Sequence, residues 1–158
     1  MNTWLLKTEP STFSWQTLNS LPGKISQWEG VRNYQARNFI REMKKGDLAL
    51  FYHSVVSPQI IPGIVQIVKE PYADYFSWDP KSKYFDPKSS PENPRWQMVD
   101  VKAYLEIKQP ISREELKEIP ELADMELLRK GSRLSVMPVE KKHFQRILKI
   151  RGIKLNGH

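Results

Sequence analysis

Residues 30–38 read Gly30-Val31-Arg32-Asn33-Tyr34-Gln35-Ala36-Arg37-Asn38, and they open the first long helical pattern of the chain. Apolar and aromatic residues recur at near-helical spacing from there to position 43. Asn33 stands where an N-cap side chain would accept a backbone hydrogen bond, so we predict a helix over residues 33–43. Amides, guanidinium groups and an aromatic ring surround its start, which favours recognition of a planar polar ring over bond-making chemistry.

Strand patterns lie on both sides of this helix. Short apolar or alternating runs predict strands at residues 3–8, 24–28, 47–53, 63–72, 96–107 and 133–136. Further helices are predicted at residues 15–21 and 138–150, with short helical pieces near 112–116 and 125–128. Five or six strands with peripheral helices indicate an α+β fold with a small barrel-like sheet. The length of 158 residues leads us to expect a single domain over residues 1–158.

The segment 73–95 differs in character from the rest of the chain. Four prolines follow Asp, Ser or Asn in it, and it contains five aromatic residues. A loop of this length is usually functional or disordered, and its aromatic content argues against disorder. We therefore expect an ordered loop that either packs on the core or takes part in binding.

Charge and composition narrow the classes of partner. The formal net charge is +7 with an isoelectric point near 9.6, and 11% of the residues are aromatic, so the surface should attract polyanions. No cysteine occurs, which excludes disulfides, thiolate nucleophiles and Cys-ligated zinc and agrees with a reducing cytosol. The sequence carries no signal-peptide pattern and no long apolar run, so we expect a cytoplasmic protein that does not enter a membrane.

Motifs for catalysis are missing from the sequence. The three histidines, at positions 53, 143 and 158, fit no familiar metal-ligand spacing, so we predict neither a metal nor a cofactor. His53 and Ser54 are neighbours on a predicted strand end and would point to opposite faces, unlike a base and its nucleophile. The scattered glycines form no phosphate-binding loop. No catalytic residue is predicted.

Several side chains suit the binding of a planar ring. Trp28 stands at a strand end, where it either fills the core or forms the wall of a ring-binding slot. Asn33 has an amide that can read a base edge if it does not only cap the helix, and Arg32 and Arg37 can contact phosphate or stack on a ring. Either Trp96 or Trp78 can supply a second stacking face, worth roughly 1–3 kcal/mol per stacked base.

Several motifs, in this order along the chain, resemble the EVE domain family. They are Trp4-Leu5-Leu6-Lys7-Thr8-Glu9-Pro10, Trp28-Glu29-Gly30-Val31-Arg32-Asn33-Tyr34-Gln35-Ala36-Arg37-Asn38, Phe51-Tyr52-His53-Ser54, Tyr84-Phe85-Asp86-Pro87-Lys88-Ser89, Pro94-Arg95-Trp96-Gln97 and Arg133-Leu134-Ser135-Val136. The resemblance covers nearly the whole chain. It implies a PUA-like fold, a small mixed β-barrel with peripheral helices, and a pocket that holds a nucleobase.

The same resemblance implies a modified base, such as methylated or hydroxymethylated cytosine. It places the pocket at Lys7, Thr8, Glu9, Trp28, Asn33, Tyr52, His53, Ser54, Trp96, Arg133 and Ser135. Animal members of the family carry a basic N-terminal extension that this sequence lacks, so the resemblance further implies a bacterial-type cytosolic protein.

The leading hypothesis is a non-enzymatic module that binds nucleic acid, DNA rather than RNA, and reads one base in an aromatic slot. In that case Trp28→Ala should abolish base-dependent binding and leave the fold intact. One alternative is an RNA reader, because PUA-like relatives bind RNA. Others are an enzyme that acts on a modified nucleobase with His53 or Glu9 as acid or base, and a protein that binds partners through residues 73–95. The oligomeric state stays open.

Overall fold

A mixed six-stranded sheet organises residues 1–155, the part of the chain that the computed structural model describes. Its strands are β1 (Thr3–Thr8), β2 (Ile25–Gln27), β3 (Leu48–His53), β4 (Ile60–Ala73), β5 (Gln97–Ser112) and β6 (Val136–Pro138). The α-helices of these residues are α1 (Trp15–Ser20), α2 (Tyr34–Glu42), α3 (Arg113–Lys117) and α4 (Lys141–Ile150). Short 3₁₀ turns cover Pro22–Lys24, Tyr75–Trp78, Pro120–Leu122 and Glu126–Leu128.

The strand order β2-β5-β4-β3-β1-β6 combines one parallel pair with antiparallel pairs. β1 and β3 run parallel, so that Thr8 pairs with His53, and the other neighbours are antiparallel. β2 and β6 are the edges of this order, yet Gln27 of β2 and Ser135, just before β6, line the same cleft. The sheet therefore curls until its edges flank a common opening, which confirms the predicted α+β class with a barrel-like sheet.

The core lies inside this curled sheet and beneath the helices. β3 is buried along its whole length, in agreement with its continuous apolar run, and Phe51 on it meets several other aromatic rings. α2 turns Ala36 and Ile40 inward. Its N-cap is Asn33, whose side chain accepts the Ala36 N–H at 2.9 Å, as the sequence predicts.

Several element boundaries differ from the sequence-based expectation, among them the start of β4 at Ile60 instead of 63 and the start of α4 at Lys141 instead of 138. β5 continues to Ser112 instead of ending near residue 107, because Ile60 of the long β4 pairs with Ser112. The last strand covers Val136–Pro138 rather than 133–136, since Val136 pairs with Leu6 and Pro138 with Trp4. Within residues 1–155, no helix has the length and apolar character needed to span a membrane.

Candidate functional site

Segments that are far apart in the sequence line a cleft of about 500 Å³ between the two edges of the sheet. They are the end of β1 (residues 7–9), the turn after it (residues 12–13), β2 with the segment that follows (residues 26–32), residues 83–84 of the long loop, and Ser135. A volume of this size lies in the range of small-molecule binding pockets. The cleft is therefore the best candidate for a binding site among the described residues.

Trp28 forms part of the wall but belongs mainly to the core. Only 7% of its surface is exposed, and its ring packs edge-to-face on Phe13, 6.0 Å away between centroids, and on Phe51 at 5.7 Å. Truncation of such a residue leaves a cavity that costs about 3–5 kcal/mol. Trp28→Ala would therefore destabilise the fold as well as alter the cleft, contrary to the expectation that the fold stays intact.

Tyr84 supplies a second aromatic wall from the long loop. Its ring packs directly on the backbone of Gly30, where an added Cβ would lie 2.6 Å from the ring. Gly30 also has a φ of +86°, a conformation that side chains with a Cβ rarely adopt. The glycine after Trp28-Glu29 thus allows the loop to close against the cleft.

Arg32 fixes this wall in place. Its guanidinium donates two hydrogen bonds to the Tyr84 carbonyl, at 3.0 and 2.8 Å, and one to Asp74 Oδ2 at 2.9 Å. Asp74 is fully buried and also accepts the Gly30 N–H at 2.9 Å. Arg32 is therefore committed to holding Tyr84 and Gly30 in position, which leaves little of its donor capacity for a ligand.

Two of the charged side chains that line the cleft, Glu29 and Lys7, have shifted pKa values. Burial raises the pKa of the Glu29 carboxyl, and the charge of Asp74 adds to the effect. Burial lowers the pKa of the Lys7 ammonium, with a further contribution from Arg113. The cleft thus offers a hydrogen-bond acceptor and a donor that are partly removed from water, where such bonds are stronger.

Half of the residues predicted for the site line the cleft: Lys7, Thr8, Glu9, Trp28, Arg32 and Ser135. They come from the end of β1, the segment after β2 and the entry to β6. The other six, which the structure does not bring into the lining, are Asn33, Tyr52, His53, Ser54, Trp96 and Arg133.

Each of these six has another place in the fold. The Tyr52 hydroxyl donates to Gln59 Oε1 at 2.7 Å in the interior, and His53 Nε2 accepts the first amide of α1, from Trp15, at 3.1 Å. Asn33 caps α2. Ser54 donates its N–H to the Thr8 carbonyl, Arg133 is exposed, and Trp96 stacks on Tyr34 with 4.8 Å between centroids.

Sequence reasoning missed two of the most informative lining residues. Glu29 stands between Trp28 and Gly30 in one of the family motifs, so its neighbours indicated a place near the site. Tyr84 also begins one of the motifs, but nothing in the local sequence relates it to Trp28, because only the contacts of Arg32 and Gly30 bring its loop to the cleft. Loop paths of this kind are set by tertiary contacts rather than by local pattern.

The described residues also gather one group of possible metal ligands. The ligand atoms of Asp124, Glu140 and His143 lie within 4.8 Å of one another. Both carboxylates are exposed, and the Lys142 ammonium lies 3.7 Å from Asp124 and 3.4 Å from Glu140. The group is therefore satisfied as an ion-pair network. His158 lies outside the described residues.

Comparisons with known proteins place the chain and its fold in a family. The family model described as the EVE domain matches residues 2–150. Thymocyte nuclear protein 1 of Danio rerio is 40% identical over 94% of this chain and 71% of its own length. A crystal structure of a protein from Pseudomonas syringae is 43% identical, with a TM-score of 0.89 over 94% of this chain and 99% of that one.

A structure of human THYN1 in complex with DNA that contains 5-methylcytosine is 35% identical, with a TM-score of 0.91. The alignment covers 98% of this chain and all of that one. The curled mixed sheet and its cleft define a small α+β domain of the PUA-like class. The chain belongs to the EVE domain family.

Proposed function

We propose that this protein is a non-enzymatic nucleic-acid-binding module that holds one modified cytosine base in the cleft. The observation that carries the proposal is the combination of aromatic walls with a half-buried carboxyl and ammonium group in a space of about 500 Å³. Human THYN1, with the same fold, has been crystallised with DNA containing 5-methylcytosine, which supports a DNA partner.

Cytosine and the cleft have complementary polar groups. The exocyclic amino group of cytosine donates a hydrogen bond that a Glu carboxylate can accept. The base carbonyl accepts a hydrogen bond from an ammonium group. In this proposal Glu29 binds the amino group, Lys7 binds the carbonyl oxygen, and Tyr84 and the edge of Trp28 contact the ring and its 5-methyl group. A base must leave its stack to enter, at a cost of a few kcal/mol that is smallest for single strands.

We further propose that residues 1–158 act as one EVE domain in the cytoplasm. The family match over residues 2–150 supports one domain. The name of the curated vertebrate relatives refers to the nucleus, so the cytoplasmic location stays a prediction. A binding role without catalysis is supported by the DNA complex of human THYN1 and by His53, whose Nε2 is occupied by the Trp15 amide.

The direct test is a titration with short oligonucleotides that differ at one base. They carry cytosine, 5-methylcytosine or 5-hydroxymethylcytosine, in single-stranded and duplex DNA and in RNA, at two salt concentrations. We expect the DNA oligonucleotide with one of the modified cytosines to bind at least about tenfold more tightly than the one with cytosine. The reason is that a buried methyl contact is worth about 1–3 kcal/mol. Equal, salt-sensitive binding to all of them contradicts the proposal, and a preference for the RNA series favours an RNA reader.

A further inference from the structure

Arg37 on α2 and Arg95 just before β5 lie against a pair of stacked rings, and Arg41 follows in the last turn of α2. Tyr34 and Trp96 stack with 4.8 Å between centroids and an interplanar angle of 21°. The Arg37 guanidinium lies 4.7 Å from the Tyr34 centroid and that of Arg95 lies 5.6 Å from it. Arg41, one turn after Arg37 on α2, is exposed. We call Arg37, Arg41 and Arg95 the α2 arginine cluster.

Two members of the cluster are held in defined orientations. Arg37 donates to the Arg95 carbonyl at 3.0 Å and to Asn38 Oδ1 at 3.2 and 3.0 Å. Arg95 donates to the Tyr34 hydroxyl. Contact with the aromatic faces further restricts both guanidinium groups. Because the groups are ordered in advance, a ligand that binds them loses less conformational entropy.

The positive charge of the cluster is largely uncompensated. Among residues 1–155, the three arginines form one ion pair, between Arg95 and Asp86 at 3.7 Å. Arg37 and Arg41 are like charges at positions i and i+4, a spacing that destabilises a helix. Burial and the nearby charge of Arg41 lower the pKa of Arg37. A bound anion would relieve this repulsion.

The cluster is a neighbour of the cleft. Trp96 lies between them: its ring centroid is 5.5 Å from the guanidinium of Arg32, which lines the cleft, and 5.9 Å from that of Arg37. Arg32 itself is committed to Tyr84 and Asp74. Among the described residues, Arg37 uses three of its five N–H groups in the hydrogen bonds given above and Arg95 uses one, so the cluster keeps donors for a ligand. Planar guanidinium groups match phosphate geometry.

We propose that the α2 arginine cluster binds the backbone phosphates of the nucleic acid whose base enters the cleft. This inference rests on the proposed function and deepens it, because it separates the contacts that position the strand from those that read the base. Phosphate contacts of this kind raise affinity for every sequence and do not distinguish one base from another.

The test compares charge removal at two places on the surface. The variant Arg37→Gln/Arg41→Gln removes two charges from the cluster, and the control Lys141→Gln/Lys149→Gln removes two from exposed positions on α4. Affinities for a single-stranded oligonucleotide with one 5-methylcytosine, and for its unmodified counterpart, are measured over a salt series. Thermal unfolding verifies that both variants fold, and Arg37→Lys/Arg41→Lys restores the charge without the planar group.

We expect the cluster variant to bind both oligonucleotides about tenfold more weakly, with the ratio between them unchanged. The slope of log K against log salt should be smaller in magnitude by about 1–2, because each lost phosphate contact reduces that slope by about 0.7–0.9. The lysine variant should recover the slope, and the α4 control should match the wild type. An unchanged slope in the cluster variant, or an equal loss in the control, overturns the inference.

The two proposals fail in distinguishable ways. If the wild type shows no preference for the modified base while the cluster variant still reduces the salt slope, the base-reading function fails and the phosphate surface stands. If the preference is present and the cluster variant retains the wild-type slope, the phosphate surface alone fails.

Discussion

Glu29 is the residue on which recognition of cytosine depends most in this account. It lies in the cleft next to Trp28 and Gly30, and burial raises the pKa of its carboxyl. A carboxylate accepts hydrogen bonds, whereas a protonated carboxyl offers a donor in place of one acceptor. Recognition of the cytosine amino group should therefore require the ionised form.

This requirement predicts a pH dependence of binding. Affinity for the 5-methylcytosine oligonucleotide should fall as the pH is lowered through the raised pKa of Glu29, which lies above its ordinary value of 4.5. Glu29→Gln should weaken binding about tenfold at neutral pH, since a charge-assisted bond becomes a neutral one, and should flatten the profile. Glu118→Gln, at an exposed position, serves as the control. Equal pH profiles for Glu29→Gln and the wild type would contradict the role of Glu29.

A substitution at Gly30 tests whether the Tyr84 wall contributes to oligonucleotide binding. Gly30→Ala places a Cβ 2.6 Å from the Tyr84 ring, at a φ of +86°. Gly46 has a φ of +97° but no atom within 4 Å of the added Cβ, so Gly46→Ala reports the backbone strain alone, about 1–2 kcal/mol. We expect Gly30→Ala to lower the thermal midpoint further than Gly46→Ala and to weaken oligonucleotide binding. The same loss of stability in both variants, with binding intact, would mean that Tyr84 is not part of the site.

At the level of elements, α2 connects the motif at residues 30–38 with the surface beside the cleft. Asn33 caps this helix through its Oδ1, while the resemblance to the EVE family implies that the same residue contacts the base. The two roles make different demands, because capping needs a short side-chain oxygen and base reading needs an amide. A substitution that keeps the capping oxygen and removes the amide therefore separates the two roles.

We expect Asn33→Ser to retain both the stability and the base preference of the wild type. Asn33→Ala should lower the free energy of unfolding by about 1 kcal/mol through loss of the cap, with the base preference unchanged. Chemical denaturation and the oligonucleotide titration measure the two effects. If Asn33→Ser folds normally yet loses the preference for 5-methylcytosine, Asn33 contacts the base.

Local pattern was sufficient for the elements that rest on local interactions. The cap at Asn33, the strand at Thr3–Thr8 and the helix start near Ser112, where the structure has a capping box, were all predicted from the sequence. The extent of β5 was not, because it depends on pairing with the distant β4. The same limit applies to the cleft. Lys7 and Trp28 lie near the ends of predicted strands, whereas Tyr84 reaches the cleft only through the path of the long loop.

For the molecule as a whole, the curled sheet divides recognition between a cleft and a charged surface. The two sheet edges bring residues 7–9, 26–32 and 135 together, and the long loop closes one side through Tyr84. The net charge of +7 supplies long-range attraction to a polyanion. In this account the basic α4 contributes only to that general attraction, and the cleft alone distinguishes one base from another.

The most direct test of this claim is to titrate isotope-labelled protein with a 5-methylcytosine oligonucleotide and follow its amide resonances by NMR. We predict the largest shifts at Trp28, Glu29, Gly30 and Tyr84, which line the cleft, with smaller ones in the α2 arginine cluster. The unmodified oligonucleotide should shift only the α2 arginine cluster at the same concentration. Shifts confined to α4, or identical responses to both oligonucleotides, would contradict the claim that the cleft reads the base.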